Sequence, residues 1–196
     1  MNIIDYLKDP EFIGVIFGVI SVLLIIKEHI LAWAFGSVNV LLFMYIFYEK
    51  KIFGQVLLQF FFLILQFYGF WSWNKKNNSN EISLKLTHIK NIKTILFAFT
   101  FLGLSLIIFY LLLYNSEKLN LLIFLDLLIT SLSVLAQYFQ AKKIIENWPI
   151  WILIDILSIY LFYESKLYKV GIFYTILLFL ASYGYFEWNK RFKEYI

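Results

Sequence analysis

Tyr45-x-Phe47-Tyr48-Glu49-x-Lys51 returns 115 positions later as Tyr160-x-Phe162-Tyr163-Glu164-x-Lys166. The match extends outward without a gap. Trp33 falls on Trp148, Tyr68-Gly69 on Tyr183-Gly184, and Trp73-Asn74-Lys75 on Trp188-Asn189-Lys190. Between 33–76 and 148–191, 14 of 44 positions are identical, many of them polar or aromatic residues at the edges of apolar runs. Shared greasiness would not align those. Weaker similarity reaches back one helix, where Lys27 meets Lys142. A membrane chain built from two copies of one unit is most simply a transporter, because two similar halves can rock around a site between them.

The composition requires the membrane. Hydrophobic residues make up 62% of the 196 and charged residues only 15%, against roughly 25% charged in soluble domains. Trp and Tyr crowd the ends of the apolar runs, where interfacial belts place them. The net charge of +4 comes from lysines in short loops, which set topology and do not read as nucleic-acid binding. Cysteine is absent, which excludes disulfides and thiol metal sites. There is no Gly-rich Lys-Ser/Thr phosphate loop and no Ser/His/Asp set. His29 and His88 read as solvated surface residues without acidic neighbours at metal-ligand spacing. No enzyme, metal or cofactor is expected.

Seven runs are candidates for spans of roughly 20 apolar residues: 12–26, 30–48, 52–73, 92–114, 119–140, 149–163 and 168–188. No cleavable signal peptide is expected, since the first run has neither a basic flank nor a small-residue cleavage site. Six Lys lie on the N-terminal side of the runs and eleven Lys or Arg on the other. The positive-inside rule then places the N-terminus outside and the C-terminus in the cytoplasm. The expected fold is an all-α membrane protein of seven transmembrane helices in a 3+1+3 parallel repeat. Residues 11–76 form the first three-helix repeat, 92–114 a linker helix and 119–191 the second repeat. The linker's apolar face is Phe97, Phe101, Leu104 and Ile108. The polar stretch 74–91 reads as a cytoplasmic loop without function.

Polar residues inside the spans carry the chemistry. An Asp at a helix centre costs about 2.5–3.5 kcal/mol on insertion scales, so it faces a cavity or a partner. Asp126, Thr130, Ser133 and Gln137 form one stripe of a 3.6-residue helix, suited to lining a cavity or to joining helices. Trp148, Trp151, Asp155 and Ser158 share a face of the sixth helix, which opens at Asn147. Pro149 suits a first turn and disfavours helical backbone at Trp148, which would hold that ring extended at the helix mouth. The first copy has Trp33, Gly36 and Val40 at the positions of Trp148, Trp151 and Asp155. The second copy alone is therefore specialised. Gln55, Gln59 and Gln66 line up on the third helix with Trp73, and their counterparts are Val170, Tyr174 and Ala181. Asn39 is a lone polar residue, open to an interhelical bond or a ligand contact. Gly14, Gly18 and Ser21 form a small-residue face for close packing.

Aromatic rings beside a buried carboxylate suit a flat organic cation, through stacking, charge pairing and a cation–π attraction of about 0.5–2 kcal/mol. Amides and hydroxyls could hold sugar or alcohol hydroxyls. The candidate substrate-binding residues are Asn147, Trp148, Trp151, Asp155, Thr130, Ser133, Gln137, Asp126, Gln59, Gln66 and Asn39. A competing class is a non-transporting membrane subunit or receptor, in which these residues only pack.

Thr130-x2-Ser133-x3-Gln137, Lys142-Lys143-x2-Glu146-Asn147-Trp148-x2-Trp151-x3-Asp155 and Tyr183-Gly184-x3-Trp188 resemble the PnuC family of bacterial vitamin-precursor transporters. The resemblance covers residues 11 to 191 and is most specific in the fifth and sixth helices. It implies a 3+1+3 plan similar to SWEET proteins, and a place in the bacterial inner membrane. It also implies facilitated diffusion of nicotinamide riboside, trapped inside by a cytoplasmic kinase, without ion or ATP coupling. Asn147, Trp148, Trp151 and the polar face of the fifth helix would touch substrate, and the family permits a trimer. Relatives on this scaffold carry thiamine or other vitamins, and thiamine is also a flat heteroaromatic cation with a hydroxyl.

Overall fold

Asp9 starts the first helix: its Oδ1 accepts the Glu11 amide at 3.0 Å, and Pro10, with no N–H to leave unsatisfied, fills the first turn. The computed structural model describes residues 9–51, 53–75, 84–89, 91–113 and 121–194. Among them are seven helices: α1 Pro10–Ile26, α2 Leu31–Glu49, α3 Phe53–Asn74, α4 Ile92–Leu113, α5 Leu121–Ala141, α6 Asn147–Glu164 and α7 Tyr168–Glu194. Half of the polar stretch expected as a loop (76–83 and 90), the first residues of the second repeat (119–120) and the Ile108 side chain lie outside the described residues.

Each helix falls on an apolar run read from the sequence. Four are long and apolar enough to cross a membrane: α2, α3 from Gln55, α5, and α7 from Val170. α1, with 17 residues, is about 26 Å long, slightly under the roughly 30 Å of hydrocarbon. α7 runs six residues beyond the expected end at 188, because its charged last turns support themselves. Arg191 donates from Nε to Glu187 Oε1 at 3.0 Å, one turn back.

The chain forms two compact units, one through Lys85 and one from Leu86. In the first, α2 packs against both α1 and α3. Small residues make the α1–α2 seam close: Gly14 lies under the Phe43 ring, Gly18 under the Asn39 amide, and the Ser21 hydroxyl donates to the Ala32 carbonyl at 2.8 Å. In the second unit, α6 packs against both α5 and α7, and α4 packs on α5. Leu132, Ala136 and Ile154 form one core cluster, with Trp151 packed against it. Leu135, Phe139 and Ile144 form another, reached by Ala98, Phe101 and Leu102 of α4. Leu104, expected on the same α4 face, is exposed instead.

The two units turn their corners alike. α1 ends with Glu28 at φ 55°, and α5 is followed by Lys143 at φ 53°. At the first corner the Glu28 amide donates to Ile25 O and the His29 amide to Leu24 O. At the second, Lys143 donates to Gln140 O and Ile144 to Phe139 O. These paired bonds close a helix end on a left-handed residue, here without the usual glycine. Lys51 (φ 58°) and Lys166 (φ 59°) close α2 and α6 in the same left-handed conformation.

Candidate functional site

Trp148 does not sit extended at a helix mouth, contrary to the expectation from Pro149. It is helical, in the first turn of α6, with its amide donating to Ile145 O at 3.1 Å. Pro149 costs that turn no hydrogen bond, and the burial of the indole overrides the local preference for extended backbone. The ring is 1% exposed and meets Trp188 edge-on, centroids 5.2 Å apart at 87°. It lies directly on Gly184, where a Cβ would come within 2.5 Å of it. The first unit builds the same nest: Trp33 and Trp73 meet at 5.2 Å and 87°, and a Cβ on Gly69 would reach Trp33 at 2.3 Å. The nest is therefore the frame of the repeat. What distinguishes the second unit lies beside it.

One turn further along α6, the Trp151 indole N–H donates to Gln140 Oε1 on α5 at 3.1 Å. Asp155, at 3% exposure, pairs with no cation among the described residues. Ser158, a further turn on, is fully buried. From α7, Tyr174 comes beside Ser158 and within electrostatic reach of Asp155 and Asp126, while its ring stacks on Phe162 at 5.2 Å. At the start of α6, Asn147 is fully buried. Its Nδ2 donates to Ile144 O at 2.6 Å, and its Oδ1 has no partner among the described residues.

The α5 stripe grades from open to closed. Asp126 is exposed, Thr130 half-buried, and Ser133 and Gln137 are buried. The Ser133 hydroxyl donates back to Ile129 O at 2.8 Å, which leaves only its lone pairs to a ligand. The Gln137 amide has no side-chain hydrogen bond among the described residues. Buried polar groups left without protein partners are costly, and among the described residues of the second unit several lie on α5 and α6.

The first-unit candidates behave differently. Asn39 donates from Nδ2 to the Gly14 carbonyl at 2.7 Å, so of its two readings the structure provides the interhelical one. Gln66 is buried against Gly36, where a Cβ would come within 2.6 Å of its Oε1; Gln55 and Gln59 are half-buried. Sequence reasoning passed over two residues as site members. Gln140 sits one turn beyond Gln137 on the α5 stripe, and Tyr174 is the repeat counterpart of Gln59. His88 also departs from expectation: it lies 3.0 Å from a Glu146 carboxylate oxygen. Its partner is 58 residues away, a distance over which spacing reveals nothing.

The chain is similar to known proteins over nearly its whole length. Residues 10–190 match the family described as nicotinamide mononucleotide transporter. The nicotinamide riboside transporter PnuC of Escherichia coli (strain K12) is 26% identical over 206 residues, covering 94% of this chain and 86% of that protein. The protein of the same name from Haemophilus influenzae is 27% identical, covering 96% and 84%. A crystal structure of the vitamin B3 transporter PnuC superposes with a TM-score of 0.74 at 22% identity, over 97% of this chain and 86% of that one. That similarity establishes the fold. With helices fit for the bilayer and a family match spanning nearly its whole length, the chain belongs to the nicotinamide mononucleotide transporter family and is a membrane transporter, not an enzyme.

Proposed function

We propose that this chain is a bacterial inner-membrane transporter that takes up nicotinamide riboside by facilitated diffusion through alternating access, uncoupled from ATP. Asp155 carries the reading. A carboxylate inside a membrane helix costs about 2.5–3.5 kcal/mol, and among the described residues no cation offsets this one. The pyridinium of nicotinamide riboside supplies that charge. Trp151 and Tyr174 offer aromatic faces for the flat ring, while Asn147, Gln137, Thr130 and Ser133 offer groups for the ribose hydroxyls. The family description names the mononucleotide, but a phosphate brought against Asp155 would meet like charge. The names of the relatives, which specify the riboside, support the same choice.

In this reading the helices form a 3+1+3 plan. Residues 11–76 and 119–191 are the repeats and 92–114 the linker, with the N-terminus outside and the C-terminus in the cytoplasm. Trp148 walls the site and contributes its indole N–H, which is buried without a partner. Asp126 stands at the open end of the α5 stripe, and Gln59 and Gln66 lie on α3 of the first repeat. Asn39 serves the α1–α2 seam.

Uptake into liposomes tests the proposal. Purified protein should equilibrate labelled nicotinamide riboside across the bilayer and go no further. Accumulation above equilibrium that requires a proton gradient would refute uncoupled transport. Faster uptake of thiamine or the mononucleotide than of the riboside would refute the substrate.

A further inference from the structure

Glu146 stands at the cap position of α6, yet its side chain makes no capping bond to that helix. A carboxylate there ordinarily accepts from the first free amides of its own helix. This one turns to the segment Leu86–Ile89. The Ile89 amide donates to both its oxygens at 3.2 Å, and Oε1 lies 3.0 Å from His88 Nδ1. His88 in turn rests edge-on against Phe192 of α7, centroids 4.6 Å apart. Backbone bonds fasten the same contact: Thr87 N–H donates to Lys143 O at 3.1 Å and Ile145 N–H to Thr87 O at 2.9 Å. Leu86 is buried, and Ile89 packs into the Leu135–Phe139–Ile144 cluster. The segment is a strap tied to the α5–α6 corner and touching the end of α7. At the repeat-equivalent position of Glu146 the first copy has Leu31, which could not hold such a strap.

We infer that Glu146 is a positioning residue for the substrate site, acting through this strap on Asn147 and Trp148. Thr87 bridges Ile144, and Ile144 offers the carbonyl that engages Asn147 Nδ2. That bond fixes the amide and leaves its Oδ1 buried and, among the described residues, without a partner, available to a ligand hydroxyl. Loosening the strap releases Ile144, then the Asn147 amide, then the first turn of α6. The inference deepens the transporter reading and depends on it for the identity of the ligand, but not for the strap.

Two measurements on Glu146→Ala, Glu146→Gln and His88→Ala, in detergent, separate these parts. The first is amide hydrogen exchange over residues 144–148 in ligand-free protein. The second is tryptophan-fluorescence titration with nicotinamide riboside. Glu146→Ala should speed exchange at 145–148 and weaken affinity about tenfold, the loss of roughly one charge-assisted hydrogen bond. Glu146→Gln keeps an oxygen for the Ile89 amide but loses its charge, and should weaken affinity about two- to threefold with measurably faster exchange at 145–148, with His88→Ala similar. Faster exchange in Glu146→Ala with unchanged affinity would overturn the positioning role, and unchanged exchange would overturn the strap itself. Should Glu146→Ala not fold, wild-type affinity and exchange in both milder variants would overturn the inference. A wild-type protein that binds no riboside would refute the proposed substrate alone, and the strap would then be judged by exchange.

Discussion

Trp33 and Trp73 in the first copy meet at the same 5.2 Å and 87° as Trp148 and Trp188 in the second. Each pair rests on a glycine, and each copy closes its corners on left-handed residues. On this shared frame the contents diverge. Gly36 leaves room that the Gln66 amide fills, while its counterpart Trp151 fills its own space and bonds Gln140. Val40 is a buried hydrocarbon, and Asp155 is a buried carboxylate. The two copies share one frame, and the second alone carries Trp151 and Asp155, where the first has Gly36 and Val40. Buried positions thus differ while the corners and the tryptophan nest stay the same.

Restoring the first copy's residues in the second is the strongest way to break the contrast. Trp151→Gly with Asp155→Val should weaken riboside affinity about a hundredfold or more, as the charge pair and cation–π contact go together. Titration by calorimetry would read it, and a loss under about threefold would place the site elsewhere. The shared frame is tested by Gly69→Ala and Gly184→Ala, each driving a methyl into an indole. Each should cost roughly 1–3 kcal/mol of stability, read as comparable drops in melting temperature. A drop in one alone would mean that the two nests are not equivalent.

Smaller substitutions sharpen the division. Trp151→Phe keeps a ring but loses the bond to Gln140, and should weaken riboside binding about fivefold, near 1 kcal/mol. An unchanged titration would show that this bond does not orient the ring. Asn39→Ala should lower stability by about 1 kcal/mol through its lost bond to Gly14 and leave riboside affinity intact. A change in affinity would return Asn39 to the site.

The helices and the doubling were legible because both are written in periodicity and identity. The apolar runs placed all seven helices to within a few residues, except where α7 continued through charged turns held by Arg191 and Glu187. The corners were not legible, because Glu28, Lys51, Lys143 and Lys166 take a conformation that sequence normally signals with glycine. Trp148 was misjudged from Pro149, since a local backbone preference of modest size yields to burial of a whole indole. His88 and Glu146 escaped notice because nothing in spacing joins residues so far apart. The polar stripes on α5 and α6 could be read from helical phase. Which polar candidates find partners at home, as Asn39 does on α2, depends on neighbours that only packing reveals.

The most direct test compares Asp155→Asn with wild type against three ligands of different charge: nicotinamide riboside, neutral nicotinamide and the anionic mononucleotide. Wild type should bind the riboside far more tightly than the other two. The nearly isosteric amide should remove most of that preference while leaving the fold intact. A variant that still favours the riboside as strongly, or a wild type that binds the mononucleotide equally well, would contradict a charge-selective site built on the second copy.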